Sequence, residues 1–214
     1  TLDKKFNDYF LKYDFHNLYK ELLNFCTVDL SAFYFDIRKD TLYCETKDSE
    51  IRKSCIKTLN IILDNLIRWF APILSFTTEE IFKLIYKDKK SIHLEFFKKI
   101  PSKFSDEKLN TKWIELKKIR EVCNSSIEEK RASKEIGSSL EADLKIEINE
   151  KSYNDFKDID FAELCITSSA EVIKGSVDEI KVTTSKAKGN KCPVCWKLKI
   201  NKCERSQCGL IDDK

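Results

Sequence analysis

Four cysteines lie close together near the end of this 214-residue chain, at Cys192, Cys195, Cys203 and Cys208. Cys192 and Cys195 enclose Pro-Val, and two thiolates joined by such a tight turn can hold one side of a tetrahedral zinc ion. Cys203 and Cys208 are the pair available to close the site. In a chain without a signal peptide, this clustering indicates a metal more often than a disulfide. The pattern predicts a zinc site; the alternatives are unrelated thiols or a redox dithiol.

The segment that carries these cysteines is basic. Residues 186–214 contain eight Lys/Arg and three Asp/Glu, a local charge of +5 against +3 for the whole chain. This asymmetry favours an anionic partner, and Lys191 is a candidate phosphate contact. Trp196 directly follows the Cys-Pro-Val-Cys turn, either as a lid over the zinc site or as a platform on which a base stacks. Arg38 and Lys39, farther upstream, are either partners of a helix dipole or phosphate contacts.

The sequence offers no catalytic constellation. It has no glycine-rich phosphate loop, no Ser/His/Asp arrangement and no paired carboxylates in apolar surroundings. His16 and His93 are isolated, and we interpret them as structural. No apolar run approaches the roughly 18 residues of a membrane span, so we expect a cytoplasmic protein without catalytic residues of its own.

A long helix over residues 49–71 is predicted to organise the elements that position these side chains. Its apolar positions recur every three or four residues, with a stop at Pro72. Thr77 and Glu80 have the spacing of a capping box, which predicts a second helix from about residue 78. The predicted apolar stripe and core consist of Ile51, Cys55, Leu59, Ile62, Leu66, Trp69 and Phe70.

Other helices are predicted over residues 2–25, with a break near Asp14, and from Leu30 to a charged cluster at residues 36–40. A connector with a short strand is expected at 87–105, followed by a helix over 106–134. The period then changes to two at Leu144, Ile146 and Ile148, which predicts a strand. A short helix at 153–161 and strands at 163–167 and 179–184 complete this part.

The predicted fold is mainly α: an antiparallel helical bundle, a small α+β module and a C-terminal zinc knuckle. The corresponding domains are residues 1–135, 136–188 and 189–214. The chain contains no Met. We therefore expect it to be a fragment whose missing part lies upstream.

Five motifs along the chain are distinctive: Tyr13-Asp-Phe-His16, Phe33-Tyr-Phe-Asp36, Arg68-Trp-Phe-Ala-Pro-Ile-Leu-Ser-Phe76, Ile136-Gly-Ser-Ser-Leu-Glu-Ala142 and Cys192-Pro-Val-Cys-Trp196. Together they resemble the C-terminal part of bacterial-type isoleucyl-tRNA synthetases. The bundle motifs are shared more loosely with the related valine, leucine and methionine enzymes, whereas the last two motifs point to isoleucine.

The resemblance implies a class I enzyme that attaches isoleucine to its tRNA using ATP. The chain would then be its tRNA anticodon-binding region, with isoleucine tRNA and the upstream catalytic and editing domains as partners. The resemblance also implies that Cys192 and Cys195 are zinc ligands. The second cysteine pair departs from the family pattern, because the family usually has two residues between these cysteines whereas Cys203 and Cys208 enclose four. A free-standing zinc-ribbon nucleic-acid-binding protein and a purely structural scaffold are the alternatives.

Overall fold

The computed structural model describes residues 2–176, 179–201, 203 and 208. The chain forms two compact units, the first comprising Thr1–Leu42 and Lys47–Asp106, the second comprising Tyr43–Thr46 and Glu107–Lys214. The predicted class, a helical bundle followed by a small sheet and a cysteine knuckle, is confirmed. The three-part domain division remains a prediction. No helix among the described residues is long and apolar enough to cross a membrane.

The first unit is built from helices. The break predicted near Asp14 is confirmed, because Tyr13 has φ of +57° and the Asp14 carboxylate accepts the backbone N–H of Asn17 at 3.2 Å. In chain order the helices are α1 (Leu2–Leu11), α2 (Phe15–Asn24), a π-helical segment (Phe25–Phe35), α3 (Asp36–Cys44), α4 (Glu50–Phe70) and α5 (Ser75–Ile85).

Three local predictions for this unit are wrong. The helix does not end at the charged cluster 36–40 but continues through it to Cys44. Helix α5 begins at Ser75, ahead of the predicted capping box, and the Thr78 hydroxyl donates to the Leu74 carbonyl at 2.9 Å. The connector 87–105 has no strand, because its backbone instead makes two 3-10 turns, Ile92–Leu94 and Ser102–Phe104.

The core of the first unit lies where α4 packs against α1 and α2. The Phe6 and Trp69 rings meet edge to face, with centroids 4.9 Å apart. Of the predicted stripe, Cys55 and Trp69 are buried, whereas Ile51 is 60% exposed. Leu59, Ile62, Leu66 and Phe70 are half-buried. The stripe is therefore right in period but rotated, since the most buried positions near the end of α4 include Asn65, Ile67 and Arg68.

The second unit combines one long helix with two small sheets. Its elements are α6 (Glu107–Ala132), β1 (Ala142–Ile148), α7 (Glu150–Phe156), α8 (Phe161–Leu164), β2 (Ser169–Lys174), β3 (Lys181–Lys186), β4 (Asn190–Lys191) and β5 (Leu198–Lys199). The larger sheet has the order β2-β1-β3, with β1 parallel to β2 and antiparallel to β3. By its packing on this sheet α6 belongs to the second unit, although the sequence placed it in the helical domain.

The predicted inward face of β1 is confirmed, since Leu144, Ile146 and Ile148 are at most 1% exposed. The strand predicted at 163–167 is wrong. Asp160 caps α8 there by accepting the Glu163 N–H at 2.9 Å, and the strand begins only at Ser169.

Candidate metal centre

A two-stranded hairpin, residues 190–199, positions the Cys-Pro-Val-Cys knuckle. Strands β4 and β5 pair antiparallel, and the Cys192 N–H donates to the Lys197 carbonyl at 2.9 Å. The Trp196 N–H donates to the Cys192 carbonyl at 3.0 Å, which closes the turn that contains both thiols. The sequence places residues 192–195 at the tip because Pro-Val between two cysteines favours a tight turn.

Gly189 is required at the entrance to this hairpin. Its φ is +111°, and a Cβ there would lie 2.1 Å from the Lys199 carbonyl oxygen. A residue with a side chain would be strained in this conformation and would also collide with the backbone of β5.

The structure brings the four predicted cysteines together. The four Sγ atoms of Cys192, Cys195, Cys203 and Cys208 all lie within 4.8 Å of one another, and each residue is at most 8% exposed. The Sγ atoms of Cys195 and Cys203 are 3.7 Å apart. Tetrahedral coordination with metal–sulfur bonds of about 2.3 Å places neighbouring sulfurs about 3.8 Å apart. The wide Cys203/Cys208 spacing is therefore compatible with a closed four-thiolate site.

The thiols in this cluster have different acidities. Burial alone would raise the pKa of Cys192, but N–H groups of Cys195 and Val194, together with neighbouring thiols, lower that pKa below its usual value. Burial raises the pKa of Cys195 to about 11. Desolvation likewise raises the pKa of Cys208. A bound cation would offset this cost, because it stabilises deprotonated thiols.

A fifth cysteine, Cys44, packs against the four and was not predicted from the sequence. It is 3% exposed and, with half-buried Val194, forms the apolar surroundings of the cluster. The residue belongs to the short segment Tyr43–Thr46 of the second unit. No pattern in the sequence indicated this position, because Cys44 lies far upstream and has no cysteine neighbour at ligand spacing.

Trp196 and Lys191 also lie together on the hairpin. The Lys191 Nζ is 5.9 Å from the centroid of the Trp196 ring, within the range of a cation–π contact. The Trp196 side chain is 60% exposed, and its φ of +62° is left-handed. An exposed ring is available for stacking, which favours the platform interpretation over the lid.

The other predicted RNA-contact residues, Arg38 and Lys39, belong to the first unit. Both lie within α3, where the Lys39 Nζ contacts the Asp36 carboxylate at 2.7 Å. His16 and His93 are exposed on α2 and on a 3-10 turn. The group of described side chains that could hold a metal ion contains cysteines only.

Comparison with known proteins gives a family match over most of the chain. A family model described as "Anticodon-binding domain of tRNA ligase" matches residues 1–148. This range covers the helical first unit together with α6 and β1.

Individual relatives match a larger share of the chain than the family model does. The isoleucine–tRNA ligase of Pelagibacter ubique is 67% identical over 204 residues, which is 95% of this chain and 22% of that protein. The enzyme of the same name from Rhodopseudomonas palustris is 37% identical over 88% of this chain, and that from Brucella abortus is 40% identical over 86%. The chain spans about a fifth of the length of these relatives.

Proposed function

Because this chain belongs to the anticodon-binding domain family of tRNA ligases, we propose that it is the region of an isoleucine–tRNA ligase that binds the anticodon arm of isoleucine tRNA. The observation that carries this proposal is the 67% identity to one such ligase along 95% of the chain, which includes both compact units. A free-standing zinc-ribbon protein is not favoured, since the family match covers the helical part.

The complete enzyme would attach isoleucine to tRNA using ATP, in the cytoplasm. Catalytic and editing domains elsewhere in the same polypeptide would carry out that chemistry, and this chain would hold the tRNA. Within it, we assign residues 1–135 to anticodon binding, 136–188 to a junction module and 189–214 to a zinc module. We expect the chain alone to bind tRNA without aminoacylating it.

We assign the ion of the thiol cluster as zinc, with Cys192, Cys195, Cys203 and Cys208 as ligands. Zinc favours tetrahedral thiolate sites, and sites closed by four protein ligands are structural. The buried sulfurs and their 3.7 Å approach support this assignment. When bound, zinc would fix the knuckle and hold Trp196 in position.

Trp196 is the side chain we assign to base stacking. A left-handed backbone costs a residue other than glycine about 1–2 kcal/mol. Such a cost at an exposed aromatic residue supports a role in function rather than in packing. Lys191 lies over the ring and would contact phosphate, and Arg38 and Lys39 of the first unit would add phosphate contacts.

A binding titration tests this function. The zinc-loaded chain is titrated with isoleucine tRNA and with the same tRNA carrying another anticodon. We expect the wild type to prefer isoleucine tRNA, and Trp196→Gly to lose about tenfold of that preference, since stacking on an aromatic ring contributes about 1–3 kcal/mol per base.

Lys191→Ala should instead weaken binding of both tRNAs about equally, because phosphate contacts carry no sequence information. Glycine at position 196 keeps the left-handed turn, and zinc content serves as the folding control. An equal loss for both tRNAs in Trp196→Gly would exclude the stacking role. Failure of the wild type to distinguish the two tRNAs would refute the proposed function.

A further inference from the structure

We propose that a groove in the second unit, which we call the lysine groove, binds a phosphodiester of the RNA backbone; this inference rests on the tRNA-binding function proposed above. The groove has a volume of about 620 Å³ and lies between one end of the β2-β1-β3 sheet and the hairpin of residues 190–199, which we call the metal hairpin. Its lysines are Lys186, Lys188, Lys197 and Lys199, none of which was a candidate from the sequence.

Hydrogen bonds between the sheet and the hairpin hold the groove in shape. The Ser168 hydroxyl accepts the Leu198 N–H at 2.6 Å and donates to the Leu140 carbonyl. Ser168 is only 2% exposed, so this connection is inside the protein. Strand β5 is therefore fixed against the start of β2.

Two lysine ammonium groups, on Lys199 in β5 and on Lys197 just before it, donate to backbone carbonyl groups. The Lys197 Nζ donates to the Ala162 carbonyl and the Lys199 Nζ donates to the Ser168 carbonyl, each at 3.3 Å. The side chains therefore lie against the groove wall. Neither Lys199 nor Lys188 forms an ion pair with a residue in the described part of the chain. Within these described residues, no carboxylate pairs with either ammonium group.

The two carboxylates that line the groove are engaged with neutral donors. Asp143 accepts the Ser169 hydroxyl at 2.6 Å, and Asp160 accepts the Glu163 N–H at 2.9 Å. Four lysines and two aspartates line the groove, and Lys186 also lies 4.0 Å from the Glu141 carboxylate, which leaves a surplus of about one positive charge. Lysine ammonium groups around a positively charged groove are among the donors that proteins use to contact RNA phosphates.

The groove also borders the thiol cluster, since Cys203 contributes to its lining. Four thiolates around one zinc ion carry a net charge of about −2. The lysines could therefore serve only to balance that charge. A substitution that removes a lysine charge distinguishes the two roles. It should lower RNA affinity if the lysine binds phosphate, and it should lower metal retention if the lysine balances the charge of the site.

Strand β3 supplies a matched pair of lysines for the test. Lys186 is at the groove end of β3, opposite Ala142, whereas Lys181 is exposed at the other end, opposite Glu147. The zinc-loaded chain is titrated with isoleucine tRNA between about 0.05 and 0.3 M salt. The variants are Lys186→Gln, Lys199→Gln and, as control, Lys181→Gln.

We expect each groove variant to bind about fivefold more weakly near 0.15 M salt, with a slope of log K against log salt that is shallower by about one. Lys181→Gln should retain wild-type affinity within about twofold. Zinc retention against a chelator should be the same in all four proteins.

An equal loss of tRNA affinity in Lys181→Gln and Lys186→Gln would overturn the proposed binding site, because it would show only diffuse electrostatic attraction by the whole unit. Groove variants that bind tRNA normally but release zinc faster would overturn it too, and would assign the lysines to charge balance. If the wild type binds tRNA and the groove variants are unaffected, only this inference fails. A wild type that binds no tRNA refutes the proposed function and this inference together.

Discussion

Two residues beside the Cys-Pro-Val-Cys turn have left-handed backbones, Gly189 with φ of +111° and Trp196 with φ of +62°. At Gly189 this conformation costs little, and the missing side chain lets the backbone of β5 pass close by. At Trp196 the conformation opposes local preference. The spacing of the four cysteines made the cluster predictable, because ligand spacing is local. The left-handed turn and the packing of Cys44 were not, since both depend on the folded hairpin.

At this scale we predict that Gly189→Ala destabilises the metal hairpin by more than about 1 kcal/mol, since it combines a disfavoured φ with overlap against the Lys199 carbonyl. Faster zinc release to a chelator and a lower melting temperature would show it. Gly137→Ala in the same unit is the control, because the nearest atom to its added Cβ is a side-chain oxygen at 3.4 Å. Equal behaviour of the two variants would contradict this account.

At the scale of elements, a buried arginine connects α4 to the connector that follows α5. Arg68 is 2% exposed; it donates to the Asp64 carbonyl at 2.6 Å, forms an ion pair with the Asp64 carboxylate, and contacts Glu95 at 3.3 Å. Tyr86 donates to Asp64 at 2.5 Å, and Lys98 also pairs with it. The apolar period was sufficient to predict α4 and α6 but not an arginine on the buried face, because the carboxylate at 95 that completes its surroundings is distant in sequence.

Removing one member of this network should destabilise the fold. Arg68→Ala is expected to lower the free energy of unfolding by about 3–5 kcal/mol, since two carboxylates lose their buried partner. Lys53→Ala on the same helix removes an exposed ion pair with Glu50 and should change the free energy of unfolding by less than about 0.5 kcal/mol. Denaturant titration of both variants measures the difference. A small effect of Arg68→Ala would mean that solvent reaches the site.

The same network predicts that the stability of the protein decreases at acid pH. Desolvation would raise the pKa of Asp64, but Lys98, Tyr86 and Arg68 together lower it below its usual value. A carboxyl whose pKa is lower in the folded state contributes stability above its unfolded pKa of about 3.9 and loses it as pH falls through the folded value. The wild type should therefore lose more stability than Asp64→Asn between about pH 5 and pH 3. Parallel stability curves for the two proteins over this range would contradict the assignment.

At the scale of the whole molecule, the thiol cluster belongs to one unit and the aromatic core around Trp69 to the other. The order of strands could not be deduced from the sequence. Strand β2 pairs in parallel with β1 only after the chain has passed through α7 and α8, so its position depends on a nonlocal contact. Because the thiol cluster and the aromatic core lie in different units, we expect the stability of the second unit to depend on the metal and that of the first unit not to.

We expect one zinc ion per chain by elemental analysis, and its loss in Cys203→Ser/Cys208→Ser. Metal removal should increase amide hydrogen exchange in the hairpin and leave exchange around Phe6 and Trp69 unchanged, because their packing involves no ligand residue. Cys26→Ser, a half-buried position outside the cluster, should retain the metal. Full zinc content in the double variant would exclude this ligand set.

The position of Cys44 has a consequence for the order in which the protein is made. Its segment Tyr43–Thr46 packs in the second unit, yet the ribosome completes it before it has made α4, α5, α6 or the hairpin cysteines that cover it. Domains generally fold as units as they emerge from the ribosome, the N-terminal ones first. We therefore expect the first unit to fold before the hairpin that packs against Tyr43–Thr46 has been synthesised. A nascent chain that stops before Cys192 leaves Cys44 uncovered, and its thiol becomes buried only after the hairpin cysteines have been made.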